Sequence, residues 1–108
     1  MTTTSPQVQD LPKFDPLLTD PTRLLIAAAL VRPASHRVDE VADAVGVKRV
    51  ELLGHLRRLR EAGYVNTYRD ERRCTWANLT GAGEKRLVEH LQALRVLISQ
   101  VDTLVLGK

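Results

Sequence analysis

A mainly α-helical fold with one small β-hairpin is predicted by three observations in these 108 residues. Two short amphipathic runs meet at Gly46; the apolar period then switches from helical to two between Tyr64 and Leu79. After Thr80 the helical period returns and continues almost to the end.

Met1 to Pro12 are polar, Thr-rich and Pro-containing, and read as an arm without a core of its own. Phe14, Leu17 and Leu18 form a short turn ahead of the first helix. That helix starts at Asp20-Pro21: Asp caps the free backbone N–H groups, and Pro at the first helical position loses no hydrogen bond. Leu24, Leu25, Ala28 and Val31 recur at helical spacing, and Pro33 ends the run. Val38 to Val45 is a second, short helix with Asp39 as its cap, Val41, Ala42 and Val45 facing inward, and Gly46 as the left-handed residue that closes it. A third helix runs from about Lys48 to Ala62, with Leu52, Leu56 and Leu59 as its buried stripe and Gly63 as its stop. Two helices joined by a tight Gly-containing turn make a helix-turn-helix.

Tyr64–Arg69 and Cys74–Leu79 are β-prone runs separated by the charged tip Asp70-Glu71-Arg72-Arg73, and a short strand at His36-Arg37-Val38 is expected to complete the sheet. Tyr68 and Trp76 read as packing residues of that sheet. Thr80 caps the last helix, where Gly81 and Gly83 blur the first turn. Beyond them Leu87, Leu91, Leu94, Ile98, Val101 and Val105 follow four-three-four-three-four spacing, an a/d seam widened by Val88, Val96, Leu97 and Leu104. The fold class is therefore mainly α with a small β-wing: a winged helix-turn-helix with a long C-terminal dimerisation helix. Its expected divisions are a flexible arm over 1–13, the winged domain over 14–80 and the dimerisation helix over 81–108.

Composition narrows the function. Hydrophobic residues are 44% and charged residues 27%, proportions of a folded chain rather than a disordered one. No apolar run approaches the roughly 20 residues that span a bilayer. There is no secretory leader pattern, and a lone Cys74 forbids an internal disulfide, so a cytoplasmic setting is expected. Net charge is only +3, but Val45 to Thr75 holds eight basic residues against four acidic ones, a local +4 that leaves the rest at −1. Such clustering is the footprint of a polyanion-binding face, or of a solvated helix with Arg for solubility.

Three segments resemble ArsR-type winged-helix regulators. Leu18-Thr19-Asp20-Pro21-Thr22-Arg23 followed by Ile26 is similar to their opening. Gly54-His55-Leu56-Arg57-Arg58-Leu59-Arg60-Glu61-Ala62-Gly63-Tyr64-Val65 resembles their recognition helix running into the wing, and Leu79-Thr80 with Gly83 resembles the exit into the last helix. The similarity covers Asp15 to Leu94 and points to the small stand-alone regulators that share the ArsR/MarR architecture.

The resemblance implies double-stranded DNA as partner; the seam of the last helix either folds back along the first helix and the arm within a monomer or, as expected here, joins a homodimer that acts as a repressor on an inverted-repeat operator. The third helix would enter the major groove. With its leucines inward, Val50, Gly54, Arg57 and Arg58 face outward and Glu51 flanks them, while Lys48, Arg49 and Glu51 at the helix start reach deepest. Glycine inside a helix costs about 1 kcal/mol relative to Ala, so Gly54 is either a position of close approach to DNA that offsets the cost or a tolerated surface glycine. His55 is either a phosphate ligand, as its counterpart in the family often is, or a partly buried structural residue. Arg69, Arg72 and Arg73 suit phosphates or a narrow minor groove, with Asp70 and Glu71 reducing the local field.

Other chemistries lack their residues. His36, His55, His90 and Cys74 have no ligand-like spacing, and the family's repeated Asp/His and paired-thiolate metal patterns are absent, so no metal or cofactor is expected. Cys74 reads as a buried strand thiol, with a redox role as the alternative. No phosphate loop, carboxylate pair or activated nucleophile supports catalysis. The competing function is a winged helix used for protein–protein interaction, which calls for an apolar or acidic outer face on the third helix. An effector, if one exists, would have to use the dimer interface.

Overall fold

The computed structural model describes residues 13–31 and 34–107, and most of the arm read over 1–13 therefore lies outside the described residues, as does Pro33. Seven elements follow one another: α1 (Pro21–Ala29), β1 (His36–Arg37), α2 (Val38–Val45), α3 (Arg49–Glu61), β2 (Val65–Arg69), β3 (Thr75–Leu79) and α4 (Gly81–Leu106). The strands form one antiparallel sheet in the order β1-β3-β2. Val65 pairs with Leu79, Arg69 with Thr75, and His36 with Ala77.

Local chemistry accounts for the breaks. Asp20 accepts from the N–H groups of Thr22 and Arg23, the cap its position ahead of Pro21 implies. Those two backbone donors, Arg23 first, stabilise the carboxylate and hold its pKa below the ordinary Asp value. Gly46 (φ 84°) closes α2 and Gly63 (φ 82°) follows α3, both in the left-handed region where an L side chain is strained. The N-cap of α2 is Arg37 rather than Asp39, and it makes no side-chain cap bond. Asp39 lies in the first turn, where a carboxylate still suits the helix dipole.

The core is built from Leu18, Ile26, Leu30, Val38, Val41, Leu52, Leu56, Leu59, Val65, Ala77 and Leu87, all essentially buried. The three α3 leucines are those the spacing picks out. The face of α1 is not: Ile26, Ala27 and Leu30 are buried, whereas Leu25, Ala28 and Val31 are exposed or half-exposed and Leu24 is half-buried. From Leu24 to Val31 the helix and its exit are apolar all round, so periodicity selects no side and packing on α2 and α4 decides.

A polar knot joins the ends of the fold. The buried Asp15 accepts at Oδ1 from the Leu17 N–H (2.9 Å) and at Oδ2 from the Tyr64 hydroxyl, with Arg86 Nε 3.9 Å away. The Asp15 backbone N–H donates to Nδ1 of His90 (2.9 Å), and His90, 1% exposed, meets the edge of Phe14. His90 is thus part of the core. Burial first, then the Asp15 carboxylate, raises the Tyr64 pKa. The knot ties the segment before α1 to the start of the wing and to α4.

The first turn of α4 is equally constrained. Thr80 Oγ1 accepts from the Gly83 N–H (2.9 Å) and donates to the Gly63 carbonyl (2.7 Å), while its own N–H donates to the Tyr64 carbonyl (2.9 Å). A Cβ at Gly83 would stand 2.2 Å from that same Tyr64 oxygen. Gly83 therefore marks close packing of α4 on the end of α3, not a frayed helix start.

Candidate nucleic-acid interface

Burying Leu52, Leu56 and Leu59 turns the opposite side of α3 to solvent, and Lys48, Arg57 and Arg58 stand there exposed. Gly54 shares one shallow concavity with Arg57, Arg58 and Glu61, and nothing lies within 4 Å of where its Cβ would be. Val50, one turn earlier, is 82% exposed.

The remaining α3 residues singled out from the sequence are engaged within the protein. Arg49 Nη1 lies 2.6 Å from Asp39 Oδ1, an exposed ion pair that braces the start of α3 against α2. Glu51 Oε2 is 3.8 Å from His55 Nε2, and His55 Nδ1 is 3.4 Å from Arg23 Nη1. Arg23 is itself held by the Leu17 carbonyl (2.7 Å) and the Asp20 carboxylate (3.7 Å). The half-buried imidazole therefore sits between a carboxylate of its own helix and a guanidinium from α1. Arg60 donates to Thr67 Oγ1 (3.0 Å), joining α3 to β2.

In the wing, Arg69 ends β2 and Arg72 and Arg73 stand exposed at the tip. Asp70 organises that tip. Its Oδ1 accepts from the N–H groups of Arg72 and Cys74 and its Oδ2 from the Trp76 indole, each at 2.9 Å. These bonds, the indole's first, lower the Asp70 pKa. The turn holds Arg73 at φ 64°, a left-handed conformation unusual for a residue with a side chain. Trp76 stacks on Tyr68 with ring centroids 6.4 Å apart, so both are sheet-packing residues. Half-buried Cys74 lies 3.8 Å from Arg37 Nη2.

Two contributors escaped the sequence reading. Arg23 was visible only as part of the opening motif, and its approach to His55 spans 32 residues, beyond any local pattern. Arg37, on β1, joins the wing through Cys74, and no spacing rule predicts that contact. Among the described residues no cluster of three or more His, Cys, Asp or Glu side chains could hold a metal ion. No helix there is long and apolar enough to cross a membrane.

Residues 20–67, just under half of the chain, match the family model described as "Bacterial regulatory protein, arsR family". No curated protein matches the chain by sequence. Among solved structures, the transcriptional regulator homologue from Pyrococcus horikoshii OT3 is similar at TM-score 0.74 and 25% identity, over 80% of this chain and 88% of that one. YusO from Bacillus subtilis is similar at TM-score 0.68 and 22% identity, over 75% of this chain and 59% of its own. BldR from Sulfolobus solfataricus gives 0.67 and 21%, over 76% and 60%. The chain thus spans about three fifths of the latter two proteins. The proteins from Pyrococcus horikoshii and Sulfolobus solfataricus are described as transcriptional regulators. With a helix-turn-helix that matches the arsR-family model over residues 20–67, a three-stranded wing and a long final helix, the chain has the winged-helix fold of these regulators.

Proposed function

We propose that the protein binds duplex DNA as a homodimer on an inverted repeat, with α3 in the major groove and the wing along the backbone, and represses by occupying its site. The observation that carries this reading is the outer face of α3: free cations at Lys48, Arg57 and Arg58 around a Gly54 whose open side no atom of the protein approaches. Arg69, Arg72 and Arg73 extend the same charge onto the wing. Arg49, Glu51 and His55 belong to this surface as braces that set the pitch of α3, because each is paired within the protein. The α4 residues Leu87, Leu91, Leu94, Ile98, Val101 and Val105 carry the dimer contact, beginning in the core and continuing into solvent. An inverted repeat follows from two-fold symmetry, with half-sites about one DNA turn apart or a multiple of it.

Fluorescence anisotropy with a labelled duplex tests the reading. Several phosphate contacts make affinity fall by orders of magnitude between about 50 and 200 mM salt. Gly54→Leu is the decisive variant. A Cβ there meets no neighbour in the folded chain, and the change removes a helix-interior glycine, so the fold should be as stable as wild type or gain up to about 1 kcal/mol. DNA binding should nevertheless be lost. Binding that ignores salt, or a Gly54→Leu variant that binds normally, would overturn the reading.

A further inference from the structure

We infer that Val50 reads the 5-methyl group of a thymine in the major groove, making it a specificity-determining residue of the half-site; this rests on the DNA-binding reading above. Base edges are reached from the first turns of α3, and most polar side chains there already have partners. Arg49 is paired with Asp39 at 2.6 Å, and Glu51 faces His55 at 3.8 Å. Leu52 is buried. Lys48 precedes the helix as its N-cap, where its ammonium suits a phosphate. The side chain that stands free on the first outward turn is Val50, 82% exposed.

The next outward position, four residues on, is Gly54, where a Cβ would find no protein atom within 4 Å. Residues four apart share a helix face, so the isopropyl group of Val50 projects beside a bare strip of backbone. That strip lets α3 sit deep in the groove and drives Val50 against the base edges. Arg57 and Arg58 follow on the same concavity as Gly54.

The chemistry of that contact is selective. The major-groove edges of guanine, adenine and cytosine offer acceptors and donors that Val50 cannot pair, so burying them against it leaves polar groups unsatisfied. Thymine presents an apolar methyl group, whose burial against another apolar group is favourable. The group recognised is a 5-methylpyrimidine, and in unmodified DNA that means thymine.

Deleting single methyl groups from the DNA tests this. A duplex enriched from a randomised pool by the wild-type full chain is resynthesised with each thymine replaced in turn by uracil, which removes only the methyl. One thymine per half-site should cost about fourfold in affinity when demethylated, and about the square of that when both half-sites are changed. Val50→Ala, exposed and helix-compatible, should fold as wild type and bind the parent duplex more weakly while becoming indifferent to that uracil. Placing 5-methylcytosine, paired with guanine, at the same step should bind better than plain cytosine for wild type and not for Val50→Ala. The inference falls if every uracil duplex binds wild type like its parent, or if the uracil penalty is undiminished in Val50→Ala. Failure to enrich any duplex overturns the DNA-binding reading and this inference with it; the former outcomes leave that reading standing.

Discussion

Asp70 shows how one carboxylate can shape the tip of the wing. A bare count of charges makes it a liability among Arg69, Arg72 and Arg73. Its oxygens are instead turned to two backbone N–H groups and the Trp76 indole, and the arginines are displayed on the turn that results. Because those bonds favour the ionised form, the folded-state pKa lies below the ordinary Asp value of about 3.9. The sign follows from linkage: the contribution is fully present above the unfolded-state pKa and is lost as pH falls through the lower, folded one. Trp76, the only tryptophan, reports on it directly. Its emission should hold constant from neutral pH down to about pH 4 and change only below that. Asp70→Ala should give the altered emission already at neutral pH. An acid transition centred above the ordinary Asp range, or an unchanged Asp70→Ala spectrum, would refute the assignment.

At the scale of elements, the junction of α3, wing and α4 is the least tolerant part of the fold. Gly83→Ala places a methyl group 2.2 Å from the Tyr64 carbonyl, which cannot yield freely because it accepts the Thr80 N–H. The expected cost is about 2–3 kcal/mol, as for an overpacked core, read as a lower urea midpoint at unchanged slope. A midpoint equal to wild type would mean that α4 can slide on α3. Gly54→Ala is the internal contrast, since it meets nothing and should not destabilise. The same contrast explains how far the sequence could be read. The positions of α2, α3 and the hairpin were legible because Gly46 and Gly63 punctuate them and the α3 leucines leave only one outward face. That subtraction also placed Val50, Gly54, Arg57 and Arg58 on the exposed or half-exposed side. The inward side of α1 was not legible, since an all-round apolar helix carries no phase. Nor was the Asp15 knot, whose bonds to Tyr64 and His90 bridge 49 and 75 residues and depend on tertiary packing alone. Gly83 was seen as a glycine, but only the neighbouring carbonyl gives it a reason.

For the whole molecule, the decisive quantity is how much of α4 the rest of the chain covers. The helix has 26 residues, about 39 Å at 1.5 Å per residue, yet its buried side chains end at Ala93. Beyond that point, among the described residues, Ile98, Val101 and Val105 continue the seam uncovered, with Val105 73% and the flanking Leu104 85% exposed. The described residues accordingly extend over 63 × 29 × 21 Å, with no part of the body folded back along this stretch. An apolar face of this length favours a partner, and a two-fold contact with a second copy is the commonest closed solution. The bonds from Thr80 to Gly63 and Tyr64 lock α4 to the end of α3, so a pair of α4 helices would also set the distance between two recognition helices. Ile98→Asp separates association from folding, because Ile98 is 56% exposed and lies outside the core. Light scattering should give twice the 12.1 kDa chain mass for wild type and the single mass for Ile98→Asp. The variant's unfolding should keep the signature of an intact core, while affinity for a two-half-site duplex drops towards that for a single half-site. A wild type that scatters as a monomer at micromolar concentration would exclude this interface. A dimer that survives Ile98→Asp would move the contact elsewhere on the protein.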